Sequence, residues 1–308
     1  MRLQRVMADA GIAARRTCEE LIEQGVVRVN GEIVRTLPAF VDPHTDRIEV
    51  DDRPLPKPER HVYLMLNKPK RTVTTASDEP GANRRTVLDL VDHPARTRVY
   101  PVGRLDFDTM GLLLLTNDGD LANKLTHPRF GVPKAYLATV AGVLTDEDAQ
   151  TLAEGIYLAE RREGRTVGAA RTARVHVQIH KRDRDRTILR IELKEGRNRQ
   201  VRRMLAKVGC PVKKLERIEM GPLKLRGLAR GEWRELTASE LRVLRQAARA
   251  GNRASKQSAA SQSAPRSSSL KPAPAGSSTP RPARPGQTSR PSPGRGRGSG
   301  PGQRRTNR

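Results

Sequence analysis

Aromatic side chains are scarce in this 308-residue chain, which holds three Phe, four Tyr and one Trp. So few rings cannot build a platform on which successive bases of an extended strand would stack. Cysteine is scarcer still. Cys18 and Cys210 stand alone, without the paired spacing of a zinc site or a disulfide framework, and a reducing, cytoplasmic setting is expected. The six histidines are scattered with no HExxH or similar arrangement, so no metal and no cofactor is indicated. No run of about 18 apolar residues offers a membrane span, and no apolar segment behind Met1 suggests secretion. Acids are also short: 34 Asp and Glu face 59 Lys and Arg, a formal net charge of +25.

That excess has two sources. Residues 251–308 carry 12 Lys or Arg and no acid, which leaves +13 for residues 1–250. The 251–308 segment is Ser, Pro, Gly, Ala and Arg with almost no large apolar residue, so burial cannot offset the entropy of ordering it. A disordered basic tail is expected, and its Arg-Gly stretch from Gly294 to Gly300 reads as a nonspecific RNA tether or a solubilising end. The charge on residues 1–250 favours a polyanion, because neutralised phosphates release condensed counterions. An anionic membrane surface is the competing partner.

Residues 1–60 read as two helices and a hairpin. Leu3, Val6, Met7 and Ala10 share one helical face, and Gly11 suits its stop. Thr17 with Glu20 has the pattern of a capping box opening a second helix, which ends near Gly25. Val26 to Val29 and Glu32 to Val34 flank Asn30-Gly31, a strong hairpin signal. Pro54, Pro56 and Pro58 among charges read as a semi-rigid linker, placing a boundary near residue 60. The order helix, helix, hairpin resembles the S-four-type RNA-binding domain. In such a domain Arg2, Arg5, Arg15, Arg16 and Arg28 would face phosphates; otherwise they are a solvated face.

From residue 61 to 250 apolar and alternating runs mark strands at His61 to Leu66, Leu112 to Thr116, Ala135 to Val140, Val175 to His180 and Ile188 to Leu193. Helical patterns fall at Leu121 to Thr126, Asp146 to Glu154, Arg199 to Val208 and Ala238 to Ala248. Thr237 with Glu240 forms a capping box, and Gly209 is a good stop. This mixture, punctuated by turns such as Asn117-Asp118-Gly119, predicts an α+β domain on a mainly antiparallel sheet.

The segment that carries chemistry is GRLDFDTMGLLLLTNDG, Gly103 to Gly119. Asp106 and Asp108 lie on a loop feeding a strongly apolar strand, and a loop carboxylate held by a rigid strand is a catalytic candidate. The alternative is that both cap a turn or pair with Arg104. Spacing alone does not decide between them.

The run Gly103-Arg-Leu-Asp106 with Thr109, Gly111-Leu-Leu-Leu-Leu and Thr116-Asn-Asp-Gly resembles the signature of pseudouridine synthases that act on ribosomal RNA behind an S-four-type domain. Asn67-Lys-Pro, Lys134-Ala-Tyr136 and Glu195-Gly-Arg197-Asn-Arg199-Gln-Val-Arg202-Arg203-Met204 agree with it. The resemblance runs from residue 1 to about 245. It implies that Asp106 is the carboxylate that attacks the ribose or assists its deprotonation, with no metal or organic cofactor. It implies that Tyr136 stacks on the target base and that an arginine keeps the carboxylate ionised, a role expected of Arg197 ahead of Arg202. Arg104 is expected to hold open the gap left by the extruded base or to be structural, and Arg199, Arg202 and Arg203 to meet phosphate.

Two departures stand out. Arg71 replaces the family's usual glycine after Lys-Pro-x, and the segment from Asp78 to Asp89 carries extra residues. The later segments, Val212 to Leu223 and Gly231 to Leu236, most resemble the branch acting on large-subunit RNA, with small-subunit RNA or transfer RNA as alternatives. A monomer meeting ribosomal RNA or an assembling subunit, without membrane or metal, is the expected actor. A noncatalytic RNA-binding or ribosome-assembly factor is the rival, whereas a methyltransferase is disfavoured because no glycine-rich loop follows a strand.

Overall fold

The computed structural model describes residues 1–57, 60–79, 81–95, 98–162 and 165–262. The chain begins with α1 (Leu3–Asp9) and α2 (Arg15–Gln24), followed by β1 (Val27–Val29), β2 (Glu32–Ile33), β3 (Ile48–Val50) and β4 (Arg53–Pro54). The four strands form a small sheet in the order β2-β1-β3-β4. Asn30 and Gly31 both take positive φ (52° and 89°), as the expected tight hairpin requires. Leu3, Met7, Cys18, Ile22, Val27, Ile48 and Val50 make the core of this module. Pro54 belongs to the edge strand rather than to a linker; an edge is where its missing donor does no harm. Pro58 lies outside the described residues. The Thr17–Glu20 box is not used: α2 starts two residues earlier on an uncapped Ala14, and Thr17 falls inside the first turn. Burying Cys18 and Ile22 on one face sets the helix phase, and that packing outweighs the cap.

Next come β5 (Tyr63–Lys68), β6 (Tyr100–Pro101), β7 (Met110–Thr116), α3 (Gly119–Thr126), β8 (Lys134–Ala141) and α4 (Asp146–Glu154). They are followed by β9 (Tyr157–Arg162), β10 (Arg165–Arg171), β11 (His176–Arg182), β12 (Arg186–Leu193), α5 (Gln200–Lys207), β13 (Val212–Met220), β14 (Leu223–Lys224), β15 (Trp233–Glu235) and α6 (Ala238–Gln262). The main sheet runs β11-β12-β8-β13-β7-β5-β15, with β6 on β7 and β14 on β13. Every pairing in it is antiparallel except β13 with β7. The architecture is α+β, as the sequence predicts. Among the described residues no helix is long and apolar enough to cross a membrane.

β7 is buried along its whole length, and its leucines divide between the two faces at the period of a strand. Leu112 and Leu114 pack with Met65, Leu121, Leu125 and Leu244, beneath α3 and α6. Leu113 and Leu115 pack with Leu64, Leu66, Val87, Leu88 and Leu105 on the other side. At about 1.5–3 kcal/mol per buried leucine, this strand is a rigid support for whatever loop enters it. Asn117-Asp118-Gly119 closes its far end: Asp118 caps α3 through Leu121 N–H (2.9 Å) and accepts from Tyr63 Oη (2.8 Å).

Gly111 is required where β7 meets β13. Its φ is +102°, and a Cβ there would stand 2.2 Å from the carbonyl oxygen of Arg217. The capping box at α6 is present, with Glu240 N–H on Thr237 Oγ1 (3.2 Å) and Thr237 N–H on Glu240 Oε2 (2.9 Å). α6 continues to Gln262, past the Gly251 from which a tail is expected. Extending a formed helix is cheap, the added residues are mainly Ala, Ser, Arg, Lys and Gln, and Pro265 is the first strict breaker. Residues 263–308, the Arg-Gly stretch included, lie outside the described residues. The small N-terminal sheet and the main sheet belong to one compact unit, Met1–Ala264, and the expected boundary near residue 60 falls between β4 and β5.

Candidate active site

The loop of residues 103–109 leads into β7, and the carbonyls of residues 105–109 are all held. Thr74 Oγ1 donates to the Leu105 carbonyl (2.8 Å), and Thr109 N–H donates to that of Asp106 (3.0 Å). Lys68, at the end of β5, is fully buried. Its Nζ reaches the carbonyls of Pro69 (3.0 Å), Asp106 (3.2 Å), Phe107 (3.3 Å) and Thr109 (2.9 Å). Three ammonium hydrogens shared among four oxygens fix the loop to the sheet. Burial pushes Lys68 down to about 8, while Asp108 and Asp106 act in the opposite direction. Arg71 adds a tether from outside, its N–H donating to the Phe107 carbonyl (2.9 Å). Its φ is +56°, the left-handed region that glycine enters freely, which accounts for the glycine usual at this position.

Two arginines face the Asp106 carboxylate. Arg202 Nε lies 3.5 Å from Oδ2 and Arg199 Nη1 lies 3.8 Å from the same oxygen. Arg202 Nε is buried and has no hydrogen-bond partner, so its contact with the carboxylate is electrostatic. Its Nη2 donates to the Asp108 carbonyl (3.3 Å) and to Thr109 Oγ1 (3.2 Å), which pins the guanidinium to the loop it serves. Burial, and then the neighbouring Arg199, lower the pKa of Arg202.

A cavity of ≈ 90 Å³ opens beside this pair, lined among others by Asp106, Thr109, Tyr136, Leu193, Arg202 and Leu215. It has room for about three water molecules, or one flat ring in their place. Tyr136 reaches it from β8 and packs against the cores on both sides of the site. Arg104 is exposed on its rim. A wider groove of ≈ 740 Å³ continues past Arg199 and Arg203 toward Leu158 and Glu160 of β9.

Arg197, expected as the carboxylate's partner, is engaged elsewhere. Its Nε meets Glu195 Oε2 at 3.2 Å, and its terminal nitrogens donate to the carbonyls of Ala170 (3.4 Å) and Arg171 (2.9 Å). The reason is the turn into α5: Arg199 is left-handed (φ 48°), and a helix then brings residues three apart onto one face, so 199 and 202 look at the loop together. That spacing was visible in the sequence. Arg203 Nη2 donates to the Ala159 carbonyl. In the N-terminal module Arg2, Arg15 and Arg16 are exposed. Arg5 instead pairs with Asp9 (3.4 Å) and Asp120 (2.6 Å), and Arg28 with Asp52 (3.0 Å). Arg5 and Arg28 thus each have an acid within reach; the Arg5–Asp9 pair is four residues apart on α1, whereas Asp120 and Asp52 are brought in by the fold. Lys68 was passed over as a site residue, although a lysine closing an apolar strand has only buried partners to find.

Comparison with known proteins shows the family. Residues 62–207 match the family described as RNA pseudouridylate synthase, and residues 1–44 match the S4 domain. Over 253 residues the chain is 43% identical to ribosomal large subunit pseudouridine synthase B of Bacillus subtilis, covering 82% of this chain and 99% of that protein. An uncharacterised RNA pseudouridine synthase of Aquifex aeolicus is 42% identical over 245 residues, 79% of this chain and 93% of the relative. A crystal structure of a pseudouridylate synthase, 32% identical, superposes with a TM-score of 0.55 over 79% of this chain and 99% of its own. From its amino-terminal S4 domain to its catalytic sheet, this chain belongs to the RNA pseudouridine synthases, isomerases that turn uridine in RNA into pseudouridine.

Proposed function

We propose that the chain modifies ribosomal RNA of the large subunit, in the cytoplasm, and that Asp106 is the carboxylate that attacks. The observation that carries the mechanism is the Asp106–Arg202 pair at the mouth of a cavity walled by Tyr136. A carboxylate beside a pinned guanidinium stays ionised as water leaves. Its oxygen attacks ribose C1′ as the C1′–N1 bond breaks, the electron pair going to the uracil. The detached ring turns within the cavity, C5 bonds to C1′, and the ester to Asp106 breaks. The proton leaves C5 and N1 gains one, so atoms balance without redox change. Tyr136 stacks on the ring during the turn. The choice of large-subunit RNA rests on the likeness to the Bacillus subtilis relative.

The test uses ribosomal RNA tritiated at uridine carbon 5, taken from cells lacking this protein. The intact protein releases tritium, and Asp106→Asn releases none while binding the RNA about as well. Release by Asp106→Asn at the wild-type rate would remove the nucleophile from this reading. Pseudouridine mapping in the same cells is expected to show a loss confined to large-subunit RNA; a loss confined to small-subunit or transfer RNA would overturn the substrate assignment.

A further inference from the structure

Phe107 is 45% exposed although it follows the attacking carboxylate directly in the chain. An apolar ring is held in water here in a protein with only eight aromatic side chains. The loop has no freedom to fold it away. The Phe107 carbonyl is bound from one side by Lys68 Nζ (3.3 Å) and from the other by Arg71 N–H (2.9 Å). Arg71 is unusual in its own right: it keeps a left-handed backbone (φ +56°) that glycine would take without strain, and its side chain is exposed. Among the described residues its guanidinium has no ion-pair partner. A strained position that carries a long cation, tied by its own backbone to the loop of the reacting carboxylate, is where strain accompanies function.

We propose that Phe107 and Arg71 form a clamp for the nucleotide next to the target uridine, the ring stacking on its base and the guanidinium pairing with its phosphate. The chemistry of the substrate supplies the need. A uridine that leaves its stack to enter a cavity of ≈ 90 Å³ strips its neighbour of a stacking partner. A ring that starts one residue, ~3.8 Å of chain, from the attacking carboxylate and is exposed there is within reach of that neighbour. Any base offers a π face, so the ring holds the neighbour without fixing its identity. The guanidinium sets the path of the strand, since phosphate contacts position and carry no sequence information. The clamp rests on the reading that Asp106 meets the ribose.

Three variants test it by tritium release from the labelled ribosomal RNA described above. Phe107→Leu keeps an apolar side chain but loses the π face, and is expected to raise KM about tenfold, with the larger part of the loss in KM rather than kcat. Phe107→Trp keeps the wild-type KM, and the fluorescence of the introduced indole is quenched when RNA is added. Arg71→Gly relieves the backbone and raises Tm, yet it weakens RNA binding and lowers the slope of log affinity against log salt by about one. A wild-type KM for Phe107→Leu, an indole indifferent to RNA, or a wild-type salt slope for Arg71→Gly each overturns the clamp. Failure of the Asp106 reading shows separately, as tritium released by Asp106→Asn, whatever these variants do.

Discussion

Lys68→Met isolates the part of the site that touches no substrate. The two side chains have similar length, and the change deletes a buried ammonium whose Nζ reaches four loop carbonyls. Burial has moved Lys68 from its ordinary 10.5 to about 8, so about 3 kcal/mol already opposes its charged form, at about 1.4 kcal/mol per pKa unit. The Asp106 and Phe107 carbonyls keep Thr109 N–H and Arg71 N–H, so the loss falls on those of Pro69 and Thr109, at about 1–3 kcal/mol each. The loss and the relief largely offset one another, so Tm is expected to fall by only a few degrees. The rate is a different matter, because a shift of about 1 Å in a catalytic group can cost about a hundredfold, and three of the four carbonyls belong to residues 106–109. Single-turnover tritium release should therefore drop about a hundredfold, while circular dichroism records a nearly normal melt. Alkaline pH moves the wild type part of the way, leaving a neutral amine with two N–H donors where the ammonium had three. Between pH 8 and 10.5 the unfolded chain binds the proton that the folded one gives up, so this group's contribution to stability rises with pH. Activity falls across that window as the ammonium is lost. Wild-type turnover by Lys68→Met, or a wild-type rate flat across the window, would refute the tether.

The other expectations concern geometry around the same loop. Arg202→Lys keeps a charge but cannot span Asp106, the Asp108 carbonyl and Thr109 Oγ1 together, and kcat is expected to fall about 10²–10³-fold. Arg197→Met, by contrast, loses its bonds to Glu195, Ala170 and Arg171 and lowers Tm more than it lowers turnover; the reverse ranking in the tritium assay would return the counterion role to Arg197. Gly111→Ala drives a methyl group to 2.2 Å from the Arg217 carbonyl at a φ of +102°. It is expected to cost about 4 kcal/mol or more, seen as loss of soluble protein or a collapsed melting temperature, and a normal melt would contradict the close β7–β13 approach.

Elements whose apolar pattern follows one period were legible in the sequence. β7, β8, β12, α3 and α4 fall where alternation and helical spacing place them, because one buried face dictates the pattern. β13 was not recognised as a strand, since Val-Lys-Lys-Leu-Glu-Arg-Ile-Glu-Met hides Leu215 and Met220 among charges. Lys214 pairs with Glu216 on its own strand, while Glu219 finds Arg190 and Lys224 only once the sheet is formed. The hairpin β9–β10 was missed for a related reason, its Arg-rich strands lacking the apolar alternation that announces a sheet. At the site, the motif resemblance brought Asp106, Tyr136 and Arg202 into view, but a motif records order along the chain and not direction. The direction of Arg202 depends on the left-handed Arg199, a backbone state that no propensity rule assigns to arginine.

A site that must hold a carboxylate ionised and also receive a polyanion faces a conflict, since every phosphate that approaches competes for the cations the carboxylate needs. Exposure separates the two duties. Arg202, with 14% of its side chain exposed, and Lys68, fully buried, are held by the loop. Arg199, 52% exposed, lies within 3.8 Å of Asp106 and is open to the strand at the same time. On the proposed reading of Asp106 as the nucleophile, a strand phosphate that drew Arg199 away would remove the longer of its two ion pairs as the ribose arrives and leave the carboxylate the better nucleophile. On that reading the buried Arg202 and Lys68 hold the loop in the empty site, and the exposed Arg199 would tie the reactivity of Asp106 to the presence of the strand.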